Sequence, residues 1–336
     1  MSIPIENKDA AALDSALRPL VWDEYVGQKP IKENLQILIE AAKRRDAPLE
    51  HILLYGPAGL GKTTLAHLIA REMGAQVKIT SGPAIERVGD LASILTNLSP
   101  NEILFIDEAH RLNKLIEEIL YPAMEARSLD IIIGKGPAAR TIQLELPPFT
   151  LIAATTRISL LSSPLRSRFS GGTYRLEFYT PDDIREILRR SSSLLSVVIE
   201  EDALGLIAAR SRSTPRTANH LLKRARDVAL VRGDGKVTRK IAELSLELLD
   251  IDAMGLESED RRILEIIIDK FRGGPVGLGT LAAASSEETG TIEDIYEPYL
   301  LRLGFIERTP RGRVATEAAY RHLGKKKPEN GQSALL

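Results

Sequence analysis

No cysteine occurs in the sequence, so disulfides and thiolate-bound metals are excluded, in keeping with a reducing cytosol. Apolar runs long enough to cross a membrane are missing too. The longest, such as Ile103–Ile106 and Leu151–Ala154, are strand-sized. The opening Met1-Ser2-Ile3-Pro4 lacks the charged-then-apolar layout of a secretion signal. There is no excess of charge of one sign, the net being −1, so any contact with nucleic acid must come from a local patch. No internal repeat of 20–50 residues is present. What is there is a chain of 336 residues, 43% apolar and 27% charged, ordinary for a globular protein and long enough for two or three domains.

One local patch stands out. Between Arg302 and Lys327, eight basic residues (Arg302, Arg308, Arg311, Arg313, Arg321, Lys325, Lys326, Lys327) face only Glu307 and Glu317. Charge alone reads this equally as a solvated tail or as a nucleic-acid contact.

Periodicity divides the chain in three. Residues 1–17 read as a frayed arm. Pro30 then opens a helical pattern with Ile31, Leu35, Leu38, Ile39 and Ala42 on one face. Apolar runs at His51–Tyr55, Val77–Ser81, Ile103–Ile106, Leu151–Ala154 and Tyr174–Phe178 alternate with amphipathic segments, which predicts an α/β fold with a parallel sheet. After Thr180-Pro181-Asp182 the pattern turns wholly helical to about residue 250, with Thr214 and Pro215 placed to cap and start one helix. From Leu256, three helical segments (Ser258–Lys270, Leu278–Ala284, Thr291–Leu303) precede two short runs, Phe305–Arg308 and Arg313–Thr316, in the outline of a winged helix. The expected domains are therefore 1–180 (large α/β domain), 181–252 (small helical domain) and 253–336 (winged-helix domain).

The chemistry lies in the first of these. Gly56-Pro57-Ala58-Gly59-Leu60-Gly61-Lys62-Thr63 fits G-x-x-x-x-G-K-[ST] between an apolar strand and a helix beginning Thr64-Leu65-Ala66. Glycines such as Gly59 and Gly61 let backbone N–H groups converge on phosphate, Lys62 reaches the β/γ-phosphates, and the Thr63 hydroxyl is a Mg²⁺ ligand. About 45 residues on, Ile103–Ile106 ends in Asp107-Glu108. Asp107 is placed to hold the Mg²⁺ shell and Glu108 to orient and polarise the attacking water. His110 reads equally as a coupling residue or as a polar loop residue. The run Phe149–Thr156 ends in hydroxyls and resembles sensor 1 of AAA+ proteins, which implies Thr156 as a polar tip beside the γ-phosphate. The same resemblance implies Arg168, with Arg166 in reserve, as the guanidinium that reaches the phosphoryl group of a neighbouring subunit. It also implies that Arg216, opening a helix as sensor 2 does, reports loss of the γ-phosphate.

Further blocks make the pattern specific: Thr80-Ser81-Gly82-Pro83, Gly89-Asp90-Leu91-Ala92, Ile119–Glu125, Gly136-Pro137-Ala138-Ala139-Arg140, Gly273–Gly277, Ile295–Leu300 and Arg308-Thr309-Pro310-Arg311-Gly312-Arg313. From Leu17 to Leu323 the chain resembles the bacterial RuvB family of AAA+ ATPases. That resemblance implies a cytoplasmic, ATP-driven homo-hexamer that encircles duplex DNA and migrates Holliday junctions, using ATP and Mg²⁺, with RuvA and the resolvase RuvC as partners. It implies nucleotide contacts at Leu17, Arg18, Gly59, Gly61, Lys62, Thr63, Thr64, Glu125, Ala126, Arg127, Arg168, Tyr179 and Arg216. Wing residues Arg308, Arg311 and Arg313 are implied to touch DNA backbone. It also implies that the hairpin over Asp130–Leu146, which by itself reads equally as an ordinary edge hairpin, docks RuvA through exposed isoleucines such as Ile132 and Ile133. The chain departs from the family's usual residues at Ala58, Ala109, Ala126, Arg127 and His220, and its Ser170-Gly171-Gly172 segment is one residue longer.

Two other functions share parts of this pattern. A clamp-loader-like switch shares the P-loop and trans arginine, but carries a helical collar where this chain shows a winged helix. A transcription regulator needs base-reading side chains on its third helix. Here Thr291–Leu303 is largely acidic or apolar and the arginines of the Arg308–Arg313 block lie on the wing, which favours backbone contact without sequence preference.

Overall fold

The computed structural model describes Leu13, residues 15–133 and residues 140–328, apart from the side chains of 131–133, 140 and 141. Two compact units emerge, Met1–Asp183 and Ile184–Leu336. In the first, α1 (Lys29–Arg44) starts with Pro30 in its first turn and buries Ile31, Leu35, Ile39 and Ala42 along one stripe. Then follow β1 (Ile52–Tyr55), α2 (Lys62–Glu72), β2 (Val77–Ser81), α3 (Val88–Thr96), β3 (Glu102–Asp107), α4 (Lys114–Glu125), β4 (Ser128–Ile133), β5 (Arg140–Glu145), β6 (Phe149–Thr155), α5 (Ser163–Arg166) and β7 (Thr173–Arg175).

Five of these strands form one sheet in the order β2-β3-β6-β1-β7, every neighbouring pair parallel. Strand β6 is buried along its whole length, as a strand covered on both faces must be. Parallel order puts all the strand C-termini on one edge, where ligands of open α/β sheets bind. Register then fixes which residues meet there: Tyr55, the last residue before the P-loop, pairs with Thr155, and Ile106, just before Asp107, pairs with Ala153.

Two boundaries differ from the sequence reading. The arm expected over residues 1–17 gives way to helical backbone at Leu13, Ser15 and Ala16 and to a buried Leu17, because an apolar side chain with a place in the core draws its segment in; residues 1–12 lie outside the described residues. The strand expected at Tyr174–Phe178 is only Thr173–Arg175, since Gln28 takes the backbone of Glu177 instead, through bonds of 2.6 and 3.1 Å.

The hairpin is present as β4 paired antiparallel with β5, Ile131 opposite Ile142. Its tip, Gly134–Ala139, and the side chains of Ile132 and Ile133 lie outside the described residues. On the returning strand Ile142 is 44% exposed.

The second unit begins within α6 (Pro181–Leu194) and continues as α7 (Glu201–Arg210), α8 (Pro215–Arg232) and α9 (Arg239–Leu248). As expected, Thr214 caps α8 by accepting the Thr217 N–H, and Pro215 takes the first position. The winged helix follows: α10 (Ser258–Glu265), widening into a π turn at Ile266–Lys270; α11 (Leu278–Ser285); a third helix that passes through a π turn at Ile292–Tyr296 into α12 (Glu297–Arg302); then β8 (Ile306–Thr309), β9 (Gly312–Ala315) and α13 (Glu317–His322). Its core joins Ile263, Ile267, Leu281, Leu300, Phe305 and Tyr320. Strand β9 also bridges to Val276 through Arg313. That approach is why position 312 is glycine: its φ is 134°, and a Cβ there would sit 2.3 Å from the Val276 carbonyl oxygen.

Candidate active site

Glycine geometry shapes the P-loop. Gly56 turns at φ 136°, and a Cβ on it would lie 2.5 Å from the Leu176 carbonyl oxygen; Gly61, at φ 97°, ends the loop and caps α2. Lys62 is the first residue of that helix and only 8% exposed. Its Nζ donates to the carbonyls of Gly56 and Pro57, both at 2.8 Å. A buried ammonium is thus held at the N-terminus of α2, where unpaired N–H groups add partial positive charge. Thr63 and Thr64 follow in the first turn.

Two tyrosines back the loop. The Tyr179 hydroxyl donates to the Leu60 carbonyl at 3.1 Å and lies 3.4 Å from the Tyr25 hydroxyl. Burial pushes Tyr179 up to about 12 and raises Tyr25 as well, so both stay protonated near neutrality and Tyr179 remains a donor. Close by in sequence, Arg18 Nη1 lies 2.9 Å from His67 Nε2 on α2. Burial, then the Arg18 charge, lowers the His67 pKa, which keeps the imidazole neutral and able to accept. Sequence reading named Leu17, Arg18 and Tyr179 but missed Tyr25 and His67.

At the tip of β3, Asp107 Oδ1 accepts the Glu108 N–H at 2.9 Å. Glu108 takes a left-handed φ of 48° and is exposed, with Arg111 Nη1 at 3.8 Å. At the tip of β6, the buried Thr155 hydroxyl meets His110 Nδ1 at 3.0 Å and accepts the Arg157 N–H at 3.0 Å. The next residue, Thr156, is half-buried. Through its contact with Thr155, His110 ties the segment after Asp107-Glu108 to the neighbouring strand.

A second cluster gathers around Arg168. Its Nε lies 3.2 Å from Glu125 Oε1, its Nη1 donates to the Pro164 carbonyl at 2.7 Å, and its guanidinium sits 4.3 Å from the centre of the Tyr121 ring. Glu125, Ala126 and Arg127 are exposed at the C-terminal end of α4, and Arg166 is exposed on α5. Two sets therefore emerge from the expected nucleotide contacts: Leu17, Arg18, Gly59–Thr64 and Tyr179 around the loop, and Glu125–Arg127 with Arg168 around α4. His51 steadies the second set, accepting the Leu151 N–H at Nδ1 (2.8 Å) with its Nε2 3.1 Å from the Met124 carbonyl. Arg216 is exposed in the first turn of α8.

On the wing, the three arginines expected to touch DNA are not equivalent. Glu297, 1% exposed on α12, takes Arg308 Nε at 2.7 Å and Arg313 Nε and Nη2 at 3.0 and 3.1 Å. Burial alone would raise this carboxyl, but the bonds from Arg308 and Arg313 outweigh it and bring it below its ordinary value. Its contribution to stability is accordingly full above the ordinary carboxylate pKa and lost as pH falls through the lowered one. Arg313, 15% exposed, is a fastener between wing and helix; Arg308 is half-exposed and Arg311 exposed at the turn. Arg313, expected to touch DNA backbone, pairs within the fold with Glu297 through Nε and Nη2, as a buried carboxylate needs its charge partner.

Comparison with known proteins agrees along the chain. Residues 17–176 match the family model of the Holliday junction DNA helicase RuvB P-loop domain, 179–252 that of the RuvB AAA lid domain, and 253–324 that of the RuvB C-terminal winged helix domain. The Holliday junction branch migration complex subunit RuvB of Dehalococcoides mccartyi (strain CBDB1) is 59% identical over 315 residues, covering 94% of this chain and 90% of that protein. The solved structure of the Thermotoga maritima RuvB Holliday junction branch migration motor is 49% identical, covers 93% of this chain and all of its own, and superposes with a TM-score of 0.85. A point variant of that protein superposes at 0.87. With a P-loop ATPase domain, a lid and a winged helix in that order, this chain belongs to the RuvB family.

Proposed function

We propose that this protein hydrolyses ATP to drive branch migration of Holliday junctions, working as a homo-hexameric ring around duplex DNA. The observation that supports this most directly is the union, in one chain, of a phosphate cradle charged by Lys62 and a wing with exposed arginines. Domain limits at 180/181 and 252/253 follow the change from strands to helices and the start of the winged helix.

Within the site, Lys62 meets the β/γ-phosphates and Glu108 orients water. Thr63 and Asp107 would supply oxygen ligands of the kind Mg²⁺ takes, and the ion would offset charge on the transferring group. Thr156 faces the γ-phosphate and Arg216 reports its loss. The separate cluster at Arg168 completes the site of the next subunit, and Glu125 and Tyr121 hold the arginine until that neighbour arrives. Branch migration of a synthetic four-way junction, dependent on ATP and stimulated by RuvA, is the deciding assay; no migration under any nucleotide condition would sink the proposal. No described helix is long and apolar enough to cross a membrane, and a cytoplasmic location with RuvC as a further partner fits this role.

DNA is gripped by its backbone. Arg308→Ala should weaken binding about equally for unrelated duplexes and lower the salt slope by roughly one unit. Arg313→Ala should behave differently, because Glu297 loses its two-pronged partner inside the fold. Thermal unfolding should then report a loss of about 1–3 kcal/mol. Equal melting of the two variants would undo the distinction between them.

The hairpin β4–β5 is the proposed dock for RuvA. Ile142, exposed on its second strand, suits an apolar partner surface. Ile142→Ser should weaken RuvA affinity in a direct titration by about tenfold, the loss of one buried aliphatic side chain. Unaltered affinity would assign the strand to an ordinary sheet edge.

A further inference from the structure

Between the lid and the winged helix lies a charged joint that the reading above does not use. Arg212 and Ser213, just before the cap of α8, both take left-handed backbone angles, φ 54° and 55°. Non-glycine residues hold such angles only where their surroundings fix them. What fixes Arg212 is its side chain, 11% exposed. Nη1 and Nη2 reach the two carboxylate oxygens of Asp260 at 3.0 and 3.2 Å, and Nη2 also donates to the Ile295 carbonyl at 3.2 Å. The guanidinium lies 4.8 Å from the centre of the Tyr299 ring.

Each partner belongs to a different part of the head. Asp260 is fully buried and caps α10 by accepting the Glu257 N–H at 3.0 Å. Ile295 lies in the π turn of the third helix, two residues before Glu297, the residue that fastens the wing. In the other direction, Arg216 is four residues from Arg212, in the first turn of α8. One planar fork thus joins the segment that carries Arg216 to the first helix, to the third helix and, through Glu297, to the wing.

We propose that Arg212 is a positioning residue that couples the state of the Arg216 segment to the DNA-gripping wing; this rests on the motor reading given above. Shape supports the choice of residue. A planar guanidinium binds a carboxylate at two points and still offers a donor to a carbonyl, which the point charge of lysine cannot do. A displacement of the Arg216 turn therefore moves α10 and the third helix together. Chains of packed and hydrogen-bonded groups are the physical means by which distant sites bias one another.

The test is the double variant Arg212→Met/Asp260→Asn. Methionine keeps an apolar stem over Tyr299, and asparagine keeps an acceptor for the Glu257 N–H, so no buried charge is left unpaired. Thermal unfolding, duplex affinity, DNA-free ATP turnover, DNA-stimulated turnover and base pairs migrated per ATP are measured beside the unaltered protein. The first three should match it, while DNA stimulation and migration per ATP fall about fivefold or more, the range of ordinary site-to-site coupling. Stimulation and migration per ATP equal to those of the unaltered protein would overturn the proposal. So would a joint fall of melting temperature, affinity and DNA-free turnover, which is the mark of a purely structural clamp. If the unaltered protein itself shows neither stimulation nor migration, the motor reading fails and the coupling role fails with it.

Discussion

Lys62→Ala should abolish ATP hydrolysis outright, whereas Glu108→Gln should keep ATP bound and turn it over about 10²–10⁴ times more slowly. The two residues reach this loss by different routes. Lys62 is buried against the carbonyls of Gly56 and Pro57, so alanine removes both the charge that meets phosphate and the group that holds those carbonyls inward. Uncompensated, they turn the mouth of the loop towards negative potential and oppose the nucleotide itself. Glutamine at 108 preserves shape and hydrogen bonding but cannot take up a proton from water. Because Glu108 is exposed and, among the described residues, pairs with Arg111 at 3.8 Å, the exchange leaves the fold alone. Equilibrium binding of ATP beside steady-state turnover separates the cases. Normal turnover in Glu108→Gln would remove it from the catalytic role, and tight ATP binding by Lys62→Ala would show that the loop carbonyls do not need their cation.

How much of this was legible in the sequence depended on the distance over which each feature is built. The P-loop and the Asp107-Glu108 strand end are local: a strand, a turn and a helix start specify them within a few residues. The parallel sense of the sheet also followed, since strands that alternate with helices are joined by crossover connections; the order of its strands did not. The backing of the loop did not, because Tyr25 and Tyr179 meet across 154 residues and neither has a local signature. His110 could not be assigned until Thr155 was found opposite it, 45 residues on. The wing shows the limit most plainly. Read as a string, Thr291–Leu303 is an acidic helix and Arg308–Arg313 a basic turn, which suggests that the arginines face outward. Folding brings Glu297 under them, and Arg308 and Arg313 both pair with it inside the fold. Composition gives the sign of a charge but not the face on which it ends.

Arg168→Ala should bind ATP yet hydrolyse it roughly 10³–10⁵ times more slowly, the range for arginine fingers in other phosphoryl-transfer systems. Within its own chain the guanidinium rests on Tyr121, Glu125 and the Pro164 carbonyl, which preorganises it without burying it away from a partner. Mixing Arg168→Ala with Lys62→Ala subunits distinguishes action across an interface from action within a chain. An Arg168→Ala subunit keeps its P-loop, and a Lys62→Ala neighbour brings the missing arginine, so some sites in the mixed ring become whole. Part of the activity should return, rising with the fraction of such pairs. If Arg168 served its own subunit, every site would remain defective and nothing would be recovered. The longer Ser170-Gly171-Gly172 segment is anchored three residues from the arginine, where the Gly171 N–H bonds the His51 carbonyl at 2.9 Å at the entry to β7. Arg166, exposed on α5 without the Tyr121 and Glu125 contacts, should give a far smaller loss as Arg166→Ala. A larger loss there, or verified mixed rings that stay inactive, would take the trans role away from Arg168.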